Sequence, residues 1–158
     1  MTISAELRVR VTDLFLDYAQ CIDDDRVEAW PEYFTDDAVY KITTRNTEAR
    51  GLPMAIMSCR GIGQIRDRIT ALRKANIFEP HHHNHLLGPS RLTRQGDGAV
   101  HARTSVVVYR TMEHGEQERF AVGRYEDVLV EQGGDIKIQQ RKVVLDSHRV
   151  DVLIVYPL

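Results

Sequence analysis

Residues 99–131 decide the fold, as AVHARTSVVVYRTM (99–112), EHGE (113–116) and QERFAVGRYEDVLVE (117–131). Hydrophobic and polar residues alternate along both long segments, and β-branched and aromatic residues are frequent. This is the pattern of half-buried β-strands. The short glycine-containing stretch between them is typical of a hairpin turn. These residues therefore predict two long antiparallel strands.

The same pattern continues on both sides of this hairpin. HHHNHLLGPSRLTR (81–94) precedes the turn QGDG (95–98), and QGGD (132–135) leads into IKIQQRKVVLDSHRV (136–150). Four long β-rich segments separated by tight glycine turns predict an antiparallel meander.

The first half of the chain has mainly helical periodicity. Hydrophobic side chains between Leu7 and Ile22 form one helical stripe, with Ser4 as the expected N-cap. DDDRVEAWPEYF (23–34) favours a second short helix, which Pro31 ends or converts into another turn. GIGQIRDRITALRKAN (61–76) carries isoleucine and leucine at helical spacing and predicts a third helix.

Two segments between these helices have other patterns. AVYKITTR (38–45) alternates and is rich in β-branched residues, which predicts a strand. NTEARGLP (46–53) is expected to be a loop. Helices that cluster first and strands that follow define an α+β fold. Because a long twisted sheet cannot cover its own core, we expect three helices on its concave face and a cone-shaped pocket between them.

Length and composition fit one domain spanning residues 1–158. Its tail, VDVLIVYPL (about 150–158), is almost entirely apolar. Chain ends are usually polar unless they are held down. We therefore expect the tail to be buried, either under its own sheet or against another subunit.

Charge and cysteine usage exclude several classes of protein. The net charge is −2, from 21 basic and 23 acidic residues, which argues against a nucleic-acid or anionic-membrane partner. No apolar run approaches the roughly 20 residues that span a bilayer. Cys21 and Cys59 form no CxxC pair, and MTISAELRVR (1–10) has no secretory core. We expect a cytoplasmic protein with free thiols.

The histidine cluster in EPHHHNHLLG (79–88) is the most unusual local feature. On a strand, His81, His83 and His85 would share one face. Such imidazoles could ligate zinc or iron. No carboxylate nearby in sequence has the matching phase, so a polar strand entry or a subunit contact is the preferred interpretation.

A second hypothesis concerns general acid–base catalysis inside the cone. His85 and His101 fall on consecutive predicted strands, and each could point inward as a base. Asp23, at the end of the first helix, could orient a histidine, and Tyr40 could donate to a carbonyl. These four residues would suit a dehydratase or an isomerase. The alternative is that each is only a buried polar group with a partner.

The chain resembles the small (β) subunits of bacterial aromatic-ring-hydroxylating dioxygenases, the partners of Rieske-type α subunits. The resemblance rests on YAQCIDDDRVEAWPEYFTDDAVYKI (18–42), RGLPMAIM (50–57), RDRITALRKANIFEP (66–80) and KIQQRKVVLDSHRV (137–150). It is nearest to subunits of the benzoate, anthranilate and salicylate type.

This resemblance implies a nuclear-transport-factor-2-like (NTF2-like, or cystatin-like) cone and a role in assembly. The catalytic α chain would bind the Rieske 2Fe-2S cluster and the mononuclear non-haem iron, and this chain would bind no cofactor and no metal. The β subunits would self-associate as a trimer and pack beneath α in an α3β3 complex. That complex would perform O2- and NAD(P)H-dependent cis-dihydroxylation of an aromatic acid.

An alternative resemblance covers short motifs only. IDDDRVEAW (22–30), AVYKI (38–42), HLLG (85–88) and GAVHARTSV (98–106) are similar in pattern to scytalone dehydratase, another NTF2-like protein. It implies a stand-alone enzyme with Asp23, Tyr40, His85 and His101 in the pocket.

Overall fold

The computed structural model describes residues 2–149 and 154–158. Its helical elements are α1 (Ala5–Asp23), a 3-10 helix (Val27–Tyr33), α2 (Arg45–Ala49) and α3 (Gly61–Lys74). The three predicted helices are confirmed. Ser4 caps α1, because its hydroxyl accepts a hydrogen bond from the backbone N–H of Leu7 at 3.1 Å. Pro31 lies inside the 3-10 helix and does not end it.

Within the described residues, seven strands form one mixed sheet. They are β1 (Phe34–Thr44), β2 (Met57–Arg60), β3 (His81–Leu87), β4 (Arg91–Arg94), β5 (Val100–Met112), β6 (Gln117–Gln132) and β7 (Asp135–Leu145). Their order is β2-β1-β7-β6-β5-β3, and β4 also pairs with β5. The hairpins β5–β6 and β6–β7 match the predicted meander.

Three local expectations were wrong. β1 and β7 pair in parallel, so the sheet is not purely antiparallel; the long stretch of chain between them supplies the crossover that a parallel pair needs. Residues 46–53 were expected to form a loop, but the first of them belong to α2. Thr44 caps this helix, because its hydroxyl accepts a hydrogen bond from the Thr47 N–H. Residues 81–94 form two strands instead of one, and β2 was not predicted.

The sheet is curved, and the helices pack on its inner face. Register shifts in the β1–β7, β5–β6 and β6–β7 pairs bend the strands, as β-bulges do. α1 packs against β3 and α3 against β1. Trp30 of the 3-10 helix is fully buried and meets the ring of Tyr40 edge to face at 5.0 Å. The expected α+β cone is therefore confirmed.

None of the helices in the described residues is long and apolar enough to cross a membrane.

Candidate functional site

The interior of the cone contains the chain's own tail segment, residues 154–158. Leu158 is almost completely buried, and its backbone is held by two tyrosines. Tyr18 and Tyr40 donate hydrogen bonds to its carbonyl oxygen at 2.9 and 3.1 Å, and its N–H donates to the Tyr40 hydroxyl at 2.8 Å. The tail is thus buried under its own sheet; residues 150–153 lie outside the described part of the chain.

Tyr156 and Val155 attach the tail segment to the helical side of the molecule. The hydroxyl of Tyr156 donates to Asp25 at 3.1 Å, and Arg68 donates to the Val155 carbonyl at 3.0 Å. A crevice of about 10 Å³ remains where Tyr156 meets the histidine strand. Pockets that bind small organic molecules are usually hundreds of cubic ångströms in volume, so this crevice cannot accept one.

β3 presents its histidines as the sequence predicted. His81, His83 and His85 are buried on the inner face, and His82 and Asn84 are exposed. The His83 ring stacks on Phe120 at 5.1 Å and meets the ring of Tyr156 at 5.6 Å. The histidines therefore face the cone.

His83 is the most perturbed member of this cluster. Neither ring nitrogen has a hydrogen-bond partner among the described residues. Burial, reinforced by the neighbouring His85, His81 and Arg110, lowers the pKa of His83 to about 3. Across residues 2–149 and 154–158, no three histidine, cysteine, aspartate or glutamate side chains are arranged to hold a metal ion.

Asp23 and His85 are brought together as expected. The carboxylate contacts both the ring and the backbone of His85. Asp23 Oδ1 lies 2.6 Å from His85 Nδ1, and Asp23 Oδ2 accepts the backbone N–H of His85 at 2.8 Å. The second contact caps the backbone of β3 on the edge that faces away from β5. Asp23 therefore joins the end of α1 to the edge strand, and it also orients the imidazole.

Of the other two members of the four-residue set, one is bonded to the tail segment and the other lies on the outer face. Tyr40 is buried and bonded to Leu158, and burial raises its pKa well above the usual value. His101 lies on the outer face of the sheet, because it alternates with the buried Val100 and Ala102. The expectation that His101 points into the cone was wrong: the sequence gives the alternation of a strand but not which face is inside.

A buried ion pair was missed in the sequence. Arg141 of β7 donates two hydrogen bonds to Asp127 of β6, at 2.8 and 2.9 Å, and both side chains are fully buried. The guanidinium also lies over the rings of Tyr18 and Tyr125, at 4.2 and 3.9 Å. Periodicity placed each residue on a strand, but it did not show that both positions face inward.

The two cysteines of this chain do not suit a Rieske cluster, which the resemblance places on the α chain. A Rieske cluster needs two cysteine thiolates and two histidines. Cys21 lies in α1 and Cys59 in β2, and burial raises the pKa of both thiols, that of Cys21 to about 11. A raised thiol pKa opposes the thiolate form that metals bind.

Comparison with known proteins agrees with this geometry. The family model of the SnoaL-like domain matches residues 4–142. The beta 1 subunit of the terminal oxygenase component of terephthalate 1,2-dioxygenase from Comamonas is 38% identical over 141 residues, which cover 89% of this chain and 92% of that one. The anthranilate 1,2-dioxygenase small subunit from Burkholderia cepacia is 33% identical, with 89% and 88% covered.

A solved structure extends the likeness to three dimensions. A proposed beta subunit of an aromatic-ring-hydroxylating dioxygenase from Novosphingobium aromaticivorans superposes with a TM-score of 0.87 at 35% identity, covering 96% of both chains. The curved sheet and its helices thus define a SnoaL-like domain of the NTF2-like class. Within that class, the chain belongs to the family of small (β) subunits of aromatic-ring-hydroxylating dioxygenases.

Proposed function

We propose that this chain is the non-catalytic assembly subunit of an aromatic-ring-hydroxylating dioxygenase. The observation that carries the proposal is the filled cone. The tail segment fills the cone where the sequence predicted a pocket, and Tyr18 and Tyr40 form hydrogen bonds with Leu158. Catalysis needs a reacting atom within reach of the acid and the base, and the crevice of about 10 Å³ beside Asp23 and the histidines leaves no room for one.

In this proposal the chemistry belongs to a catalytic α chain. That chain holds the Rieske cluster and the mononuclear iron, and the complex is an α3β3 hexamer with a β trimer beneath the α subunits. The reaction is cis-dihydroxylation of an aromatic acid with O2 and NAD(P)H. The named substrates of the relatives, terephthalate and anthranilate, are aromatic acids and support this class.

The proposed location is the cytoplasm. Both cysteines are free and buried, and free thiols are typical of a reducing compartment.

Coexpression with the cognate α chain tests the proposal. We expect the two chains to co-purify, with the mass of an α3β3 complex by native mass spectrometry, and we expect the complex to dihydroxylate an aromatic acid. The isolated chain should convert no aromatic acid and no scytalone-like substrate.

Turnover by the isolated chain would contradict the proposal. If Asp23→Asn or His85→Gln then abolished that turnover while circular dichroism showed an intact fold, the dehydratase interpretation would replace it. Failure of the wild-type chain to bind α would also contradict an assembly role.

A further inference from the structure

The outer face of the sheet, opposite the cone, carries a charged depression of about 350 Å³. It spans β4 to β7. Its lining includes Arg91, Thr93, His101, Arg103, Glu126 and Lys142. The named side chains lie on the face opposite the cone, because they alternate with the buried residues of their strands.

Two arginines in the depression are neighbours on adjacent strands. Arg91 of β4 and Arg103 of β5 are directly opposite in the antiparallel register, and both are exposed. Residues opposite each other have Cβ atoms about 5 Å apart, and like charges there are destabilising.

Two neighbouring carboxylates already accept hydrogen bonds from other cationic side chains. Glu126 accepts a hydrogen bond from Arg124 at 2.7 Å, and Glu48 accepts one from Lys142 at 2.7 Å. Within residues 2–149 and 154–158, Arg91 and Arg103 have no ion pair and no hydrogen bond. Glu126 lies directly opposite Arg103 on β6, but it also accepts the hydrogen bond from Arg124. Cationic side chains therefore outnumber carboxylates around Arg91 and Arg103, although the whole chain has a net charge of −2.

We propose that this arginine patch, Arg91 and Arg103, binds acidic side chains of the catalytic α subunit. The inference rests on the proposed assembly function and assigns its contact surface. Carboxylates between the two guanidinium groups would remove their mutual repulsion and form charge-assisted, often bidentate, hydrogen bonds. Such pairs also accelerate association and fix the docking register.

The test measures binding of the cognate α subunit to charge-reversed variants of the full chain. Arg91→Glu and Arg103→Glu, singly and together, are compared with Arg8→Glu. Arg8 is exposed on α1, on the opposite side of the sheet, and its side chain has no partner in the described residues. Arg103→Gln separates loss of charge from reversal of charge.

We expect the double reversal to weaken α binding at least tenfold, and Arg103→Gln to have a smaller effect in the same direction. Arg8→Glu should bind α as the wild type does. The wild-type affinity should also fall more steeply with salt than that of the double variant, because exposed charges are screened. Circular dichroism of each variant establishes that the fold is intact.

The outcomes separate this inference from the proposed function. If wild type and double variant bind α equally, the patch assignment is wrong and the assembly role stands. If the double variant binds α normally but loses self-association, the patch contacts a second copy of this chain and the assignment is also wrong. If the wild type does not bind α, both proposals fail.

Discussion

The three consecutive aspartates, Asp23, Asp24 and Asp25, make different contacts because each has a different environment. Asp23 is bonded to the backbone and ring of His85, and Asp24 pairs with Arg26 at 3.4 Å. Asp25 has a φ of 55° and contacts both Arg73 and Tyr156. Aspartate tolerates this left-handed backbone better than most residues do. Asp23 and Asp25 thus link the end of α1 to β3, α3 and the tail segment, whereas Asp24 pairs locally with Arg26.

The pH dependence of stability is a prediction about His83. The pKa of His83 is about 3 in the folded chain and its ordinary value is 6.5, so the unfolded chain binds the proton more tightly. The contribution of His83 is complete above pH 6.5 and is lost progressively as the pH falls from 6.5 towards 3. Each unit is worth about 1.4 kcal/mol, so we expect a loss of roughly 2 kcal/mol at pH 5. Urea unfolding between pH 7.5 and 5 measures it.

The matched variants are His83→Phe and His82→Asn. Phenylalanine cannot be protonated, and it sacrifices no hydrogen bond that the described structure shows, so the slope of stability with pH should become flatter. His82 is exposed on the other face of β3, and its replacement should leave the slope unchanged. Equal slopes for wild type and His83→Phe would show that folding does not lower the pKa of His83.

At the scale of elements, a buried ion pair joins strands β6 and β7. Asp127 and Arg141 face each other in the register of these strands. Burial raises the pKa of Asp127, and the Arg141 guanidinium opposes that rise. Breaking a buried pair by removing one partner is strongly destabilising, although the intact pair is not itself proof of high stability. The pair therefore disfavours any β6–β7 register that separates the two charges.

Gly123 permits the close approach of these two strands. A Cβ atom there would lie 2.1 Å from the carbonyl oxygen of Val144 and 2.9 Å from the Cα of Leu145. Both are backbone atoms, so the strands would have to move apart. We expect Gly123→Ala to destabilise the chain by about 3 kcal/mol or more, as severe overpacking does, measured by urea unfolding.

Gly63→Ala is the control for this substitution. Gly63 lies inside α3, and an added Cβ would meet nothing within 4 Å. Alanine should therefore stabilise the helix by up to about 1 kcal/mol. A Gly123→Ala protein as stable as the wild type would mean that β6 and β7 are not in this register.

At the scale of the whole molecule, the tail segment completes the core. Deleting residues 154–158 removes the buried side chains of Tyr156 and Leu158 and leaves the hydroxyls of Tyr18 and Tyr40 without their partners. From the lost burial and hydrogen bonds we expect a loss of roughly 5 kcal/mol. Thermal unfolding would measure it, and binding of a hydrophobic dye would report the opened cone.

Tyr40→Phe is a less disruptive variant that tests the same contact. It removes one hydroxyl, keeps the ring against Trp30, and should cost about 1–3 kcal/mol. Unchanged unfolding of the shortened chain, with no dye binding, would contradict the filled cone.

The sequence alone determined most of the fold and part of the site. Alternation in 99–131, the helical stripe from Leu7 to Ile22 and the glycine turns are local signals, because strand and helix periods follow from backbone geometry. The shared face of His81, His83 and His85 follows from the same rule. The family was also recognisable, because its motifs extend along most of the chain.

Only the tertiary structure decided what lies inside the cone and what lies outside. It placed His101 on the outer face, paired Asp127 with Arg141, made β1 and β7 parallel, and put Leu158 between Tyr18 and Tyr40. Each of these depends on contacts between residues far apart in the chain. Local periodicity repeats identically for either face of a strand, so it cannot determine which face the core will cover.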